Sequence, residues 1–86
     1  MKKILIFSSS LCSYCKAAKN LLKQENLKFK EISVDNKPEI REEMVKKSSG
    51  KKTVPQIFFD EYHVGGFDEL NNVYKNGSLL KKLDER

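Results

Sequence analysis

With 86 residues and a formal net charge of +5, the chain is long enough for one compact domain and too short for two. Two cysteines are too few for a secreted, disulfide-held domain, and scattered lysines without an Arg-rich run or aromatic–basic interleaving argue against nucleic-acid binding. The opening MKKILIF has neither a long apolar stretch nor a small-residue cleavage site, so it supports neither a signal peptide nor a membrane span, and the chain reads as soluble and cytosolic.

Lys3 to Phe7 is a short, nearly continuous apolar run, as expected of a strand buried on both faces. After Ser8, Ser9 and Ser10 the period becomes helical from about Ser13. Tyr14, Ala18, Leu21 and Leu22 form a core side, and Lys16, Lys19, Asn20, Lys23 and Gln24 a wet side. Phe29 to Val34 alternates as a second strand, parallel to the first if the helix is a crossover. Glu39, Glu42 and Glu43 ahead of Lys46 and Lys47 complement the dipole of a second helix, which has a thin apolar stripe (Ile40, Met44) and stops near Gly50. Gln56 to Asp60 and Tyr62 to Val64 predict a hairpin whose turn lacks the usual glycine. Gly65 and Gly66 end it. Asp68 is the expected cap of a third helix carrying Leu70, Val73 and Tyr74, and Leu79, Leu80 and Leu83 predict a tail that seals the core. The order is βαβαββα, with no repeat, linker or low-complexity segment.

Three stretches carry chemistry. Cys12 falls just before the first helix and Cys15 in its first turn. The unpaired amides and dipole of a helix N-terminus favour negative charge on the first sulfur, so that one thiol attacks and the other resolves. Lys16 and Lys19 add positive potential, and Ser8, Ser9, Ser10 and Ser13 leave Cys12 room. A structural zinc site needs four ligands, whereas the chain has two cysteines and one histidine; a passive disulfide over so short a loop would stabilise little. Two bystander thiols would have to fall by accident at a strand-to-helix junction.

Thr53-Val54-Pro55-Gln56 precedes the third strand. A cis Val54–Pro55 bond would leave the Val54 backbone free to pair with an extended substrate, but read locally an ordinary trans proline opening an edge strand is the simpler account. In Gly65-Gly66-Phe67-Asp68-Glu69, glycines permitting close backbone approach ahead of a helix N-terminus suit a carboxylate, and Asp68 an ammonium beside it. A plain strand-to-helix turn with an acidic cap explains the same residues.

Together, CSYC, TVPQIF and VGGFDEL resemble the motifs of a small bacterial dithiol glutaredoxin, in the same order over roughly residues 3 to 76. The resemblance implies an α/β, thioredoxin-like fold with a four-stranded mixed sheet flanked by helices, and a cis proline at Pro55. It also implies glutathione as cosubstrate, disulfide-containing or glutathionylated proteins as partners, and a monomer. Cys12 would be the nucleophile and Cys15 the resolving thiol. Tyr14, Thr53, Val54, Pro55, Gly66, Phe67 and Asp68 match positions lining the glutathione groove, with Val54 pairing the cysteinyl part and Gly66 to Asp68 meeting the γ-glutamyl end. The chain departs from the pattern twice. Ser13 replaces the proline of CPYC, and some relatives with a non-proline residue there hold an iron–sulfur cluster between two monomers, which makes a cluster carrier the alternative function. Ser9 replaces a lysine that contacts the glycine carboxylate of glutathione, a role left to Lys51 or Lys52. Phe67 stands where some relatives have another cysteine, and His63 is expected to be a turn residue without a role as base.

Overall fold

The computed structural model describes residues 1–84; the last two residues of the expected 1–86 domain lie outside them. The elements in chain order are β1 (Ile4–Ser8), α1 (Ser13–Gln24), β2 (Lys30–Ser33), α2 (Pro38–Lys47), β3 (Gln56–Phe59), β4 (Tyr62–Gly65), α3 (Phe67–Lys75) and α4 (Leu79–Asp84). They form one sheet in the order β2-β1-β3-β4. β1 and β2 are parallel across the α1 crossover, whereas β3 runs antiparallel to both β1 and β4. This is the mixed, thioredoxin-like sheet that the sequence motifs implied, with the tail forming a helix of its own.

Alternation along the central strands assigns the two faces. Ile4, Ile6, Ile57 and Phe59 pack with Ala18, Leu21 and Leu22 of α1, Leu70 of α3, and Leu79 and Leu83 of α4. Phe7 and Phe58 point the other way, against Val34 and against Met44 of α2. Fully burying each such large apolar side chain stabilises the fold by about 1.5–3 kcal/mol. The thin stripe of α2 suffices because α2 alone covers its face: Met44 is fully buried, and Ile40 and Val45 pack around it. Pro38 starts this helix, and beyond its end the Gly50 amide, at φ +97°, donates back to the Val45 carbonyl at 2.9 Å.

Several local expectations need correction. Tyr14 is 62% exposed and does not belong to the core side of α1, because the buried face of the helix runs along Cys15, Ala18, Leu21 and Leu22. Leu80 is 53% exposed, so Leu79 and Leu83 alone seal the core. In the hairpin, Asp60 itself takes the left-handed conformation (φ +51°), and its carboxylate accepts the Lys3 amide at 2.9 Å, replacing the missing glycine. β4 carries an extra residue: Ile57 pairs with Gly65 while its neighbour Phe58 pairs with His63, so Val64 bulges between them.

Candidate functional site

The C-terminal end of β1 leads through a short loop to Cys12, which caps α1 in an extended conformation (φ −116°, ψ 110°). Its sulfur accepts the Cys15 amide N–H at 3.0 Å, taking the place of a serine or aspartate oxygen. The Cys12 thiol in turn donates to the Val54 carbonyl at 3.6 Å. The first sulfur thus sits at the positive end of a helix with an amide aimed at it, a setting that stabilises negative charge developing there.

Cys15 lies in the first turn of α1, is 1% exposed, and like Cys12 is a free thiol. Burial, followed by its hydrogen bond to Cys12, pushes its thiol up to about 12, while the Ser9 amide and the charge of Lys19 pull the other way. Lys19 is not a free cation: its Nζ lies 2.8 Å from Glu31 Oε2, an oxygen that also accepts the buried Ser8 hydroxyl at 2.5 Å. Lys19 first, and Ser8 second, hold the Glu31 carboxyl below its ordinary value.

The loop ahead of Cys12 is tied to the loop after β2. Ser9 donates its hydroxyl to Asp35 at 2.6 Å and Ser10 its amide at 2.9 Å, and these bonds, that of Ser9 first, hold the Asp35 carboxyl down at about 2. Ser9 is therefore occupied as a strut between two loops.

Beside the thiols lies a groove of about 340 Å³. Tyr14 of α1 forms one wall, Thr53, Val54 and Pro55 the floor, and Gly66, Phe67 and Asp68 the far end, so all seven residues implied by the motifs meet there. The Tyr14 and Phe67 rings face each other at 6.1 Å. The Val54–Pro55 bond is cis, against the simpler local expectation and in accord with the resemblance.

Three features of this neighbourhood escaped the sequence reading. The cap of α3 is Gly66, not Asp68, which lies inside the first turn. Glu69 also lines the groove, and its carboxylate reaches back to accept the Gly66 amide at 2.7 Å. This is the reciprocal half of a capping box, and the acid three residues after the cap was its legible signal. The demand for glycine falls on Gly65, which has φ +121° and whose absent Cβ would stand 2.5 Å from Glu69 Oε1; a Cβ on Gly66 would meet the Pro55 oxygen at an ordinary 3.4 Å. His63 belongs to β4 and is half-buried, so it is not a turn residue; burial lowers its pKa.

The iron–sulfur cluster suggested by Ser13 is one held between two monomers, to which each chain would bring Cys12 and glutathione the remaining ligands. With Cys15 buried, this chain brings a single accessible sulfur, and among the described residues no three His, Cys, Asp or Glu side chains gather as a metal site. A cluster therefore does not fit on this chain alone.

Paired thiols held so unequally, on a sheet of this topology, define a thioredoxin-like thiol–disulfide oxidoreductase. The comparisons narrow the class. The family model described as Glutaredoxin matches residues 4–64. The chain is 48% identical over 84 residues to glutaredoxin 1 of Rickettsia prowazekii (strain Madrid E), covering 96% of this chain and 88% of the relative. A solution structure of glutaredoxin from Brucella melitensis superposes with a TM-score of 0.84 at 40% identity, over 96% of this chain and 89% of that one. A crystal structure of a buckwheat glutaredoxin–glutathione complex also superposes with a TM-score of 0.84, at 27% identity over 95% of this chain and 76% of that one. The chain belongs to the glutaredoxin family.

Proposed function

We propose that the protein, acting as a single glutaredoxin domain and a monomer in a reducing cytoplasm, uses glutathione to reduce protein disulfides and glutathione mixed disulfides through Cys12 and Cys15. The observation that carries this reading is the division of labour in α1: the Cys12 sulfur accepts the Cys15 amide at the helix mouth, while the Cys15 thiol is buried beside it. In the first step the Cys12 thiolate attacks the glutathione sulfur of a mixed disulfide. That disulfide breaks, the target leaves as a thiol after taking up a proton, and Cys12 becomes linked to glutathione. A second glutathione thiolate then attacks the same sulfur, giving oxidised glutathione and free Cys12. On a protein disulfide, Cys12 becomes linked to the target instead; Cys15 loses its proton, attacks Cys12 and releases the reduced target. Two glutathiones then reopen the Cys12–Cys15 bond.

Glutathione lies in the groove beside Cys12. The Val54 backbone pairs with its cysteinyl part and Gly66 to Asp68 meet its γ-glutamyl end, where the Phe67 and Asp68 amides take the carboxylate, the Gly66 amide being bonded to Glu69, and Asp68 stands against the ammonium. Tyr14, Thr53, Pro55 and Phe67 form the walls. Because Ser9 is held by Asp35, the glycine carboxylate falls to Lys51 or Lys52, both exposed just ahead of the groove. A groove of about 340 Å³ is within the range of small-ligand sites, and a relative of the same fold binds glutathione in its crystal.

The test is reduction of a small glutathione mixed disulfide, coupled to glutathione reductase. Cys12→Ser is expected to abolish turnover and Cys15→Ser to retain it, with Cys15→Ser losing activity only on protein disulfides. Undiminished turnover in Cys12→Ser would refute the assignment.

A further inference from the structure

Gln56 opens β3, is 3% exposed, and lies on the α2 side of the sheet with Phe58. An amide so buried must be satisfied by protein groups, and each of its partners is identifiable. Its Nε2 donates to the Thr53 carbonyl at 3.0 Å and to the Thr53 hydroxyl at 3.2 Å. A carbonyl only accepts, so this bond fixes which end of the amide is nitrogen. Gln56 Oε1 is then left facing His63 Nε2 at 2.6 Å, which requires that Nε2 carry the hydrogen. His63 is held in turn by its ring, stacked on Phe58, its partner across the β3–β4 ladder, at 4.8 Å and 25°.

These contacts make a continuous row from Phe58 of β3 through His63 of the edge strand and Gln56 to Thr53, in the loop that lines the groove. Thr53 lies outside any strand, so ladder bonds do not place it. Its neighbour Lys52 is held separately by Arg41, whose Nη1 donates to the Lys52 carbonyl at 3.2 Å. The next residue, Val54, supplies the carbonyl that meets Cys12.

We propose that His63 and Gln56 are positioning residues for the groove, fixing Thr53 and through it the Val54 backbone against which a substrate peptide lies. The functional half of this inference rests on the proposed use of the groove by glutathione; the structural half does not. Both protonation states of His63 keep hydrogen on Nε2, so the row holds whether or not the ring is charged. Removing the Nε2 donor leaves a buried oxygen unpaired, which releases Gln56 to turn and Thr53 to move.

The experiment compares wild type with His63→Phe, which retains the stacked ring and loses the donor, and His63→Gln, which restores an N–H. Gln56→Met, of similar volume, serves as a second disruption should His63→Phe fold poorly. The first readout is amide hydrogen exchange and chemical shift by NMR. Thr53 and Val54 should shift and lose order in His63→Phe and Gln56→Met, and recover in His63→Gln. The second is turnover on a glutathione mixed disulfide: KM should rise on the order of fivefold, the scale of one lost hydrogen bond, with kcat within about twofold. Unmoved Thr53 and Val54 signals overturn the inference whatever the kinetics. A fall in kcat with unchanged KM, or no recovery in His63→Gln, also overturns it. If wild type shows no glutathione-dependent turnover, the proposed function fails while the NMR comparison still decides the positioning role.

Discussion

Replacing Gly65 by alanine tests how the far end of the groove is built. The new Cβ would stand 2.5, 2.8 and 3.0 Å from Oε1, Cγ and Cβ of Glu69, and the backbone would stay at φ +121°, where side chains are rarely tolerated. The φ cost alone is about 1–3 kcal/mol. Glu69 must also swing aside, breaking its 2.7 Å bond to the Gly66 amide, and losing such a cap costs a further 0.5–2 kcal/mol or about that. The expected destabilisation is therefore about 2–4 kcal/mol, measured as the shift in urea unfolding with an unchanged slope. Glu69→Ala alone should cost about 1 kcal/mol, since it loses only the cap. The double variant should be more stable than the sum of the two single losses predicts, because once Glu69 is truncated the new methyl has no carboxylate to displace. Strict additivity, or a cost below about 0.5 kcal/mol for Gly65→Ala, would refute this account of the turn.

Three other outcomes follow from the same geometry. Because the folded Cys15 thiol is raised from 9.0 to about 12, the folded state retains a proton that the unfolded chain gives up first; stability should fall as pH rises from about 9 towards 12, and the decline should be shallower in Cys15→Ala. Asp35 has the opposite sign: its folded value, lowered from 3.8 to about 2 chiefly by the Ser9 hydroxyl, stabilises the fold above pH 3.8 and stops doing so as pH falls through about 2, so Asp35→Asn should flatten the acid limb of denaturation. In α4, Leu83→Ala should cost about 2–5 kcal/mol in chemical unfolding because Leu83 is fully buried, whereas Leu80→Ala should stay within about 0.5 kcal/mol.

What the sequence conveyed well was whatever depends on period and order. The KILIF run, the helical spacing after Ser13 and the alternation of Phe29 to Val34 specify a βαβ unit, and β1 and β2 are parallel as that unit requires. Periodicity was misleading in the first turns of α1 and α4. Tyr14 shares a stripe with Ala18, but at the helix mouth it lines the groove opposite Phe67 and not the core, and Leu80 on the tail is left exposed. The cap of α3 was misplaced because the bond comes backwards from Glu69, so no polar side chain is needed at Gly66 itself. The cis bond at Pro55 was legible only through resemblance, since locally the trans form is favoured. Gln56 read as the opening residue of the third strand and His63 as a turn residue; only the fold brings them within bonding distance of each other, and Gln56 within reach of Thr53.

The central place of β1 has a consequence for synthesis. Its neighbour on one side, β2, follows within a few dozen residues, but its other neighbour, β3, begins only at Gln56. Leu70, Leu79 and Leu83, which cover α1, come later still. While the chain emerges from the ribosome, the N-terminal half therefore carries an unpaired edge and an uncovered apolar face, and Cys12 has no Val54 carbonyl to meet. Only completion of the sheet brings together the two halves of the groove, so a nascent or truncated chain holds the cysteine pair at the mouth of its helix without the groove beside it and without the full burial that sets Cys15 apart.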